Sequence, residues 1–331
     1  MQSIQNGKPR TRLFGTDGIR GVVGDLYTPA FVVDIASAYG TCLGPPGTVL
    51  IGQDFRTTSW GISHLLAGTL QMLGFDAVEM GPMPTPCFQY NVRCFEAKGG
   101  LMVTASHNPP EYNGIKFTGP RGLEILPEME ARIATAYADR AFNRANWKTT
   151  GTIRSESSGI DRYLASIHAH TDSALIRRAH PTVVLDPGNG TSAVTSPRLL
   201  REMGCRLLTL NDTPDGWFPG RLSEPSEANL TQLAEAVPKM GGGPGHRPRR
   251  GRRPGCIRGR ARPLHHGGCL AGPIREVRAP PPPRRHRRHE QHHVVRGAGR
   301  GDAGGGQARR HPVRIPARRP RDGTVRGDVR G

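Results

Sequence analysis

The last 91 residues of this 331-residue chain lack aromatic side chains and lysine. Residues 241–331 contain no Phe, Tyr, Trp or Lys, but they contain 24 Arg and only 5 acidic residues, a net charge of +19. Subtracting these counts from the 46 Lys+Arg and 27 Asp+Glu of the whole chain leaves 22 basic and 22 acidic residues in 1–240. The basic character therefore belongs to residues 241–331, and the remainder is electrically balanced.

A segment without aromatic residues has little apolar surface to bury. Residues 241–331 are also dense in Gly, Pro, Arg and His. Burial in such a segment does not offset the loss of chain entropy on folding. We therefore expect a disordered basic tail at 241–331, preceded by 240 residues that can form one large domain or two smaller ones.

The chain also lacks a CxxC pair, an apolar leader and a membrane-spanning run. Several of the first four cysteines lie in apolar patterns typical of small buried side chains; the six are Cys42, Cys87, Cys94, Cys205, Cys256 and Cys269. Residues 1–12 are polar, unlike a signal peptide, and no stretch approaches the roughly 18 apolar residues that cross a bilayer. We expect a soluble, cytoplasmic protein with reduced thiols and no membrane partner.

Short apolar runs alternate with amphipathic stretches through residues 28–103. Hydroxyl residues cap helices and proline suits the first helical turn, so helices are predicted to begin at Thr28, at Thr58 or Ser59, and at Thr85. Buried strands are predicted at 49–51, 77–80 and 101–103. The alternation indicates an α/β fold with mixed, mostly parallel sheets and flanking helices.

A second α/β unit is predicted from residue 159. Its expected elements are a helix at 159–179, a strand at 182–185, a loop at 186–190, a helix to 203, a strand at 206–210 and a helix at 228–237. A further strand should follow, but the pattern stops at about Gly241. We expect this incomplete unit to expose an apolar sheet edge.

The loop T-A-S-H-N-P-P at 104–110 places Ser106 directly after a predicted buried strand. Its two prolines cannot continue a strand or helix; residues 112–114 are predicted as a turn, and 115–117 re-enter the fold. Ligands in parallel sheets lie at the carboxyl ends of strands, where this serine falls. A lone serine there is usually a turn cap, whereas a serine on a rigid loop with a cation nearby can carry a phosphoryl group.

Six motifs, in this order, resemble the α-D-phosphohexomutase family, which comprises phosphoglucomutase, phosphomannomutase and phosphoglucosamine mutase. They are F-G-T-D-G-I-R-G at 14–21, D-F-R-T-T-S at 54–59, G-P-M-P-T-P at 81–86, T-A-S-H-N-P at 104–109, Y-N-G-I-K-F at 112–117 and D-P-G-N-G at 186–190. The resemblance spans residues 12 to about 240. It implies a first domain at 1–150 and an incomplete second domain at 151–240 of a four-domain enzyme.

The resemblance implies an isomerase that interconverts hexose 6-phosphate and hexose 1-phosphate through a phosphoserine and a hexose bisphosphate. Ser106 would be the phosphorylated serine, Arg20 and Lys116 the active-site cations, and His107 an acid/base helper or phosphate donor. A phosphoserine carries close to −2 charge, so cations must hold it. The family also uses Mg²⁺, bound by a phosphoserine oxygen and by three aspartates of a D-G-D-x-D-R loop. We expect Arg56 to brace the serine loop and Asp17 to be a turn residue.

The D-G-D-x-D-R loop should follow Met240 within about ten residues, and it is absent. If one nucleotide is dropped from codons for residues 246–257, degenerate codons can be read as T-G-H-D-G-D-A-D-R-A-V. Our hypothesis is that the chain past about Met240 is an out-of-frame translation of a mutase gene. Without the metal loop and the later domains, we expect this chain to have negligible mutase activity.

Two other functions remain open. The arginine-rich tail could bind RNA or DNA non-specifically, although it lacks aromatic residues for base stacking. A zinc site at Cys256, His265, His266 and Cys269 fits no strong ligand spacing. The motifs do not decide among glucose, mannose and glucosamine phosphates, nor do they reveal the oligomeric state.

Overall fold

The computed structural model describes residues 13–15 and 17–241 together with four short strands, all within one compact unit, Met1–Arg278. The short strands are β1 (Ile4–Gln5), β2 (Lys8–Pro9), β11 (Arg262–Leu264) and β12 (Gly268–Ala271). Apart from Gly241 and the last two strands, the predicted tail at 241–331 lies outside the described residues. The nucleic-acid and zinc hypotheses concern that segment and stay predictions.

The first α/β unit is built on a six-stranded sheet. Its strands are β3 (Ile19–Val22), β4 (Thr48–Gln53), β5 (Asp76–Pro82), β6 (Gly99–Val103), β7 (Tyr112–Thr118) and β8 (Ile153–Ser155). The spatial order is β3-β7-β6-β4-β5-β8. Strands β6, β4, β5 and β8 run parallel, whereas β7 is antiparallel to both of its neighbours. The mixed, mostly parallel α/β sheet is confirmed.

Four helices cover the two faces of this sheet. They are α1 (Pro29–Leu43), α2 (Ser59–Met72), α3 (Thr85–Cys94) and α4 (Pro127–Asp139). One core joins α1, α2 and α4 to the sheet, and a second core joins α3 to the opposite face. Odd and even positions of β4 alternate between them, with Val49 and Ile51 in the first and Leu50 in the second. The period-2 pattern of a strand therefore produces a three-layer arrangement.

The predicted helix starts are largely confirmed. The Thr28 hydroxyl accepts a hydrogen bond from the Phe31 amide at 3.2 Å, and Pro29 begins α1. Thr58 is the residue before α2, but its side chain makes no capping bond. It accepts instead from the Asn113 side-chain amide at 2.8 Å. The Thr58 hydroxyl, which the sequence pattern predicted as a possible cap of α2, therefore makes a tertiary contact instead.

The predicted turn at 112–114 is wrong. These residues begin β7, which pairs with β3 on one side and β6 on the other. The chain reverses earlier, in the loop between β6 and β7 that contains Ser106. The Asn-Gly pair suggested a turn from local preference, but pairing on both sides holds Gly114 extended, opposite Arg20 of β3.

The second α/β unit contains a shorter sheet. Its helices are α5 (Gly159–Ala169), α6 (Ser173–Ala179), α7 (Ser196–Glu202) and α8 (Thr231–Gly241), and strands β9 (Thr182–Asp186) and β10 (Arg206–Thr209) are parallel. The single helix predicted at 159–179 is wrong. Asp172 caps a new helix by accepting from the Leu175 amide at 2.8 Å, which separates α5 from α6.

One edge of β9 differs from the expectation of an exposed apolar edge. Strand β12 pairs with it in the antiparallel sense, and β11 pairs with β12. The sheet order is β10-β9-β12-β11. In the described part of the chain, the backbone groups of β9 are therefore paired on both sides.

Candidate active site

Ser106 lies in a left-handed backbone conformation, with φ of 59°, just beyond the carboxyl end of β6. Its amide donates to the Thr104 hydroxyl at 3.0 Å, and the Asn108 amide donates to the Ala105 carbonyl at 3.2 Å. A non-glycine residue at positive φ is strained, and such strain persists where surrounding contacts impose it. The half-buried Ser106 side chain is thereby presented at the rim of the sheet.

Arg56 imposes that conformation. Its side chain is fully buried, and all of its donors are engaged. Nη2 donates to the carbonyls of Ser106 and Asn108 at 3.1 and 2.7 Å. Nη1 donates to the carbonyls of Pro109 and Tyr112 at 2.6 and 3.0 Å. Nε donates to Asp54 at 3.2 Å. A guanidinium has five N–H groups, so the expected bracing role is confirmed and none is left for a phosphate.

A small buried network holds Arg56 in turn. One Asp54 oxygen accepts from the Arg56 amide and from the Ser59 hydroxyl, at 3.0 and 2.6 Å. The Asn113 side-chain amide donates to the same hydroxyl at 3.1 Å. Burial lowers the pKa of the Arg56 guanidinium, and the Asp54 carboxylate opposes this shift. The charged pair is stable there because both groups are hydrogen-bonded.

His107 contacts Ser106 and the second α/β unit. Its Nδ1 lies 3.3 Å from the Ser106 hydroxyl oxygen, and its Nε2 lies 3.1 Å from a Glu224 carboxylate oxygen. Both the imidazole and the Glu224 side chain are about half exposed. The structure thus brings His107 beside Ser106, as the motif predicts, and also pairs it with a residue that the sequence did not single out.

Lys116 and Arg20 meet at Asp17. The Lys116 ammonium is ion-paired with one Asp17 oxygen, and Nη2 of Arg20 lies 3.4 Å from the same oxygen. Lys116 is buried, whereas a quarter of the Arg20 side chain is exposed. Among the described residues neither cation is hydrogen-bonded to the Ser106 hydroxyl. Asp17 is more than a turn residue, because it holds both predicted cations together.

The register of β3 and β7 places this charge cluster near the serine loop. Arg20 is paired with Gly114, and the Gly114 carbonyl accepts from the Thr104 amide at 2.9 Å. A side chain at Gly114 would overlap the Thr104 carbonyl at 2.7 Å. One strand pairing and one backbone hydrogen bond therefore connect Arg20, through Gly114, to Thr104, which lies two residues before Ser106.

The second unit faces Ser106 with a loop fixed by a buried ion pair. The Arg221 Nε donates to Asp186 at 2.8 Å, and both side chains are almost fully buried. The Gly220 amide donates to the side chain of Asn189 at 3.1 Å. Phe218 contacts the first unit, because its ring lies under the Arg56 guanidinium with 5.0 Å between Arg56 Cζ and the ring centre. Sequence reasoning missed Arg221 and Phe218, which belong to none of the six motifs.

A cavity of about 20 Å³ lies between the two units. Thr104 and Ser106 line one side, and Gly190, Thr191 and Ser223 line the other. This volume holds about one water molecule. In the part of the chain that the structure describes, the serine loop and the second unit therefore border the same cavity.

The described residues contain no group of three or more His, Cys, Asp or Glu side chains able to hold a metal ion. Asp54, near Ser106, has both oxygens committed to Arg56 and Ser59. The described residues therefore do not fit the Mg²⁺ site that the resemblance implies. Among these same residues, no helix is long and apolar enough to cross a membrane.

Two protein-family descriptions match the chain in order. Phosphoglucomutase/phosphomannomutase alpha/beta/alpha domain I matches residues 11–144, and domain II matches residues 161–244. The chain belongs to the phosphoglucomutase/phosphomannomutase family. The serine loop lies in the first of these matches, and the D-P-G-N-G loop and Ser223 lie in the second.

Named relatives agree with membership of the phosphoglucomutase/phosphomannomutase family. A phosphoglucomutase/phosphomannomutase of Thermococcus kodakarensis is 39% identical over 234 residues, which are 70% of this chain and 51% of the relative. A phosphoglucosamine/phosphogalactosamine mutase of Sulfurisphaera tokodaii is 35% identical over 227 residues, 68% of this chain and 50% of the relative. The chain spans about half the length of the curated relatives it matches.

A solved structure has the same fold. A protein of Thermus thermophilus assigned as a phosphomannomutase superposes with a TM-score of 0.60 at 30% identity. The match covers 67% of this chain and 51% of that one. This chain therefore shares its α/β fold with a solved structure to which its sequence is also similar.

Proposed function

We propose that this chain carries the phosphoserine half of a phosphohexomutase, in which Ser106 stores and relays a phosphoryl group. The observation that carries the proposal is the strained Ser106 loop, whose carbonyls are held by a fully buried arginine. A phosphoryl carrier must be fixed in position, because phosphoryl transfer is catalysed mainly by positioning and electrostatic stabilisation. The names of the relatives support a hexose phosphate as substrate.

In the proposed relay, a hydroxyl oxygen of the hexose phosphate attacks the phosphorus of phosphorylated Ser106. The new P–O bond forms to the sugar as the P–O bond to the serine oxygen breaks. The sugar hydroxyl loses its proton and the serine oxygen gains one, so the step is balanced. The resulting bisphosphate returns its other phosphoryl group to Ser106 by the reverse chemistry, which leaves the isomeric hexose phosphate.

Four side chains have proposed roles in this step. Lys116 and Arg20 supply positive charge near the transferring group, and Asp17 keeps the two cations together. His107 is a proposed proton carrier for the serine oxygen, since Nδ1 is 3.3 Å from it. No step is derived through Mg²⁺, because the described residues do not form a site for it.

We also propose that this 331-residue chain has negligible mutase activity. The aspartate loop that the family resemblance places after Met240 is replaced by the Arg-, Gly- and Pro-rich sequence. Without a metal ion bound by that loop, the proposed positive charge near a phosphoserine comes from Arg20 and Lys116. The proposed cause is a shift of reading frame after about Met240. The proposed defect therefore lies outside the serine loop and does not change Ser106 itself.

A comparison of two proteins tests the proposal. One is the 331-residue chain, and the other is the product of the same gene after deletion of one nucleotide at about codon 246. The frame-restored product should interconvert hexose 6-phosphate and hexose 1-phosphate, and peptide mass spectrometry should locate phosphate on Ser106. Its Ser106→Ala variant should lose both. Turnover that survives Ser106→Ala, or a Ser106 that never carries phosphate, would overturn the proposal.

A further inference from the structure

The second α/β unit presents a buried hydroxyl that has no partner. Ser223 is only 8% exposed, and its Oγ makes no hydrogen bond within the described part of the chain. Hydroxyl groups in protein interiors are almost always paired, because burial without a partner is destabilising. An orphaned hydroxyl in a native fold therefore indicates a ligand, an ion or a water molecule that completes it.

Ser223 lines the cavity that also contains Ser106 and Thr191. The cavity lies between the units, so Ser223 and Thr191 of the second unit lie across it from the serine loop of the first. The cavity is partly open to solvent. A group attached to Ser106 can therefore extend into it from the rim of the sheet without displacing a packed core.

The surrounding structure holds Ser223 rigidly. The Ser223 carbonyl accepts from Arg221 Nη1 at 3.5 Å, and the same guanidinium is ion-paired with the buried Asp186. The Gly220 amide is held by the Asn189 side chain. Because these contacts hold the loop in place, the Ser223 hydroxyl can bind an anion without the cost of ordering the loop.

We propose that Ser223 and Thr191 of the second α/β unit hold the phosphoryl group carried by Ser106. The ligand is a phosphate monoester, whose oxygens accept hydrogen bonds from the two hydroxyls. This inference rests on the proposed function, because it requires Ser106 to carry phosphate. It adds a role for the second unit that none of the six sequence motifs assigns: Ser223 and Thr191 are positioning residues for the phosphoserine.

The test installs phosphoserine at position 106 of the 331-residue chain by suppression of a nonsense codon. Phosphate is then present whether or not the chain takes it from a sugar. Phosphorus NMR follows the second ionisation of the phosphoserine with pH. Hydrogen bonds to the dianion favour the charged form, so Ser223→Ala and Thr191→Val should each raise the measured pKa by about 0.5, a roughly threefold change in the ionisation constant.

Ser37→Ala is the matched control. Ser37 is also a buried serine, but its hydroxyl donates to the Val33 carbonyl at 2.8 Å within α1, away from the cavity. Its replacement should leave the phosphoserine titration unchanged. If Ser223→Ala and Thr191→Val both titrate like Ser37→Ala, the two hydroxyls do not hold the phosphate and the inference is overturned.

Ser223→Cys keeps the inference testable if the alanine variant does not fold. Cysteine conserves the approximate volume but is a weak donor, so it too should raise the pKa. The proposed function has a separate readout, the transfer of phosphate to Ser106 from a hexose bisphosphate by the frame-restored product. If that transfer fails, the proposed function is wrong, but the NMR comparison still tests the role of the two hydroxyls. If the titration is unchanged, the transfer experiment still tests the proposed function.

Discussion

The guanidinium of Arg56 donates a hydrogen bond of 3.1 Å to the carbonyl of Ser106, fifty residues away in the chain. Four further bonds from the same side chain reach Asp54 and three other carbonyls of the serine loop and its exit. The conformation of the proposed phosphoserine loop is therefore set by a residue that contributes no chemistry to the reaction. This relationship leads to the first prediction.

Replacement of Arg56 by methionine should lower the free energy of unfolding by about 3–5 kcal/mol, because it leaves the buried Asp54 carboxylate unpaired. Arg140→Met is the control. Arg140 also donates two hydrogen bonds to a carboxylate, that of Asp34, but the arginine is mostly exposed. The control should cost less than about 1 kcal/mol. Urea denaturation measures both, and equal losses would contradict the bracing role.

Glu124 should give a distinct pH dependence of stability. Burial, then the negative charge of Asp17, raise the pKa of Glu124 above its ordinary value, and Lys116 acts in the opposite sense. A carboxyl group with a raised folded pKa stabilises the fold below its unfolded pKa of about 4.3. That contribution is lost as pH rises through the higher folded pKa.

Glu124→Gln removes the titrating carboxyl group and, with it, this loss of stability at higher pH. The melting temperature of the variant should therefore gain on that of the parent chain as pH increases from about 4 to 7. Glu235→Gln is the control, because the described part of the chain shows no ion pair for Glu235. A gap between Glu124→Gln and the parent that stays constant over this range would show that the carboxyl group titrates normally.

Gly18 should tolerate alanine less well than Gly24 does. Both glycines have positive φ, 77° and 92°. A Cβ at Gly24 meets nothing within 4 Å, whereas a Cβ at Gly18 would overlap the carbonyl of Ile115, next to Lys116. Gly24→Ala should cost about 1–2 kcal/mol from backbone strain. Gly18→Ala should cost about 1–3 kcal/mol more from steric overlap, and equal losses in urea denaturation would contradict this packing.

Phe218 should stabilise the contact between the two α/β units. Its ring lies under the buried Arg56 guanidinium, at 5.0 Å. Phe218→Leu keeps an apolar side chain but removes the aromatic face, and it should cost about 1–2 kcal/mol. Phe142→Leu is the control, since its ring lies 5.8 Å from the exposed Arg140. Thermal unfolding compares the two, and an equal loss in the control would remove the special role of Phe218.

Local chemistry made several elements predictable. The Thr28-Pro29 start of α1, the apolar run of β6 and the position of Ser106 after that run depend on neighbours within a few residues. Caps, fixed proline φ and alternating burial act over that distance. The failures have the opposite cause. Residues 112–114 form a strand because β3 and β6 pair with them, and the helix predicted at 159–179 is divided by the Asp172 cap.

The sequence by itself determined the α/β class, the serine loop and the separation of a balanced 1–240 from a basic 241–331. It also carried the ordered motifs that place the chain in its family. Only the tertiary structure decided what surrounds Ser106. Asp17 meets Lys116 across 99 residues, and Arg221 meets Asp186 across 35. Such contacts depend on strand register and on how the units pack, which no local periodicity encodes.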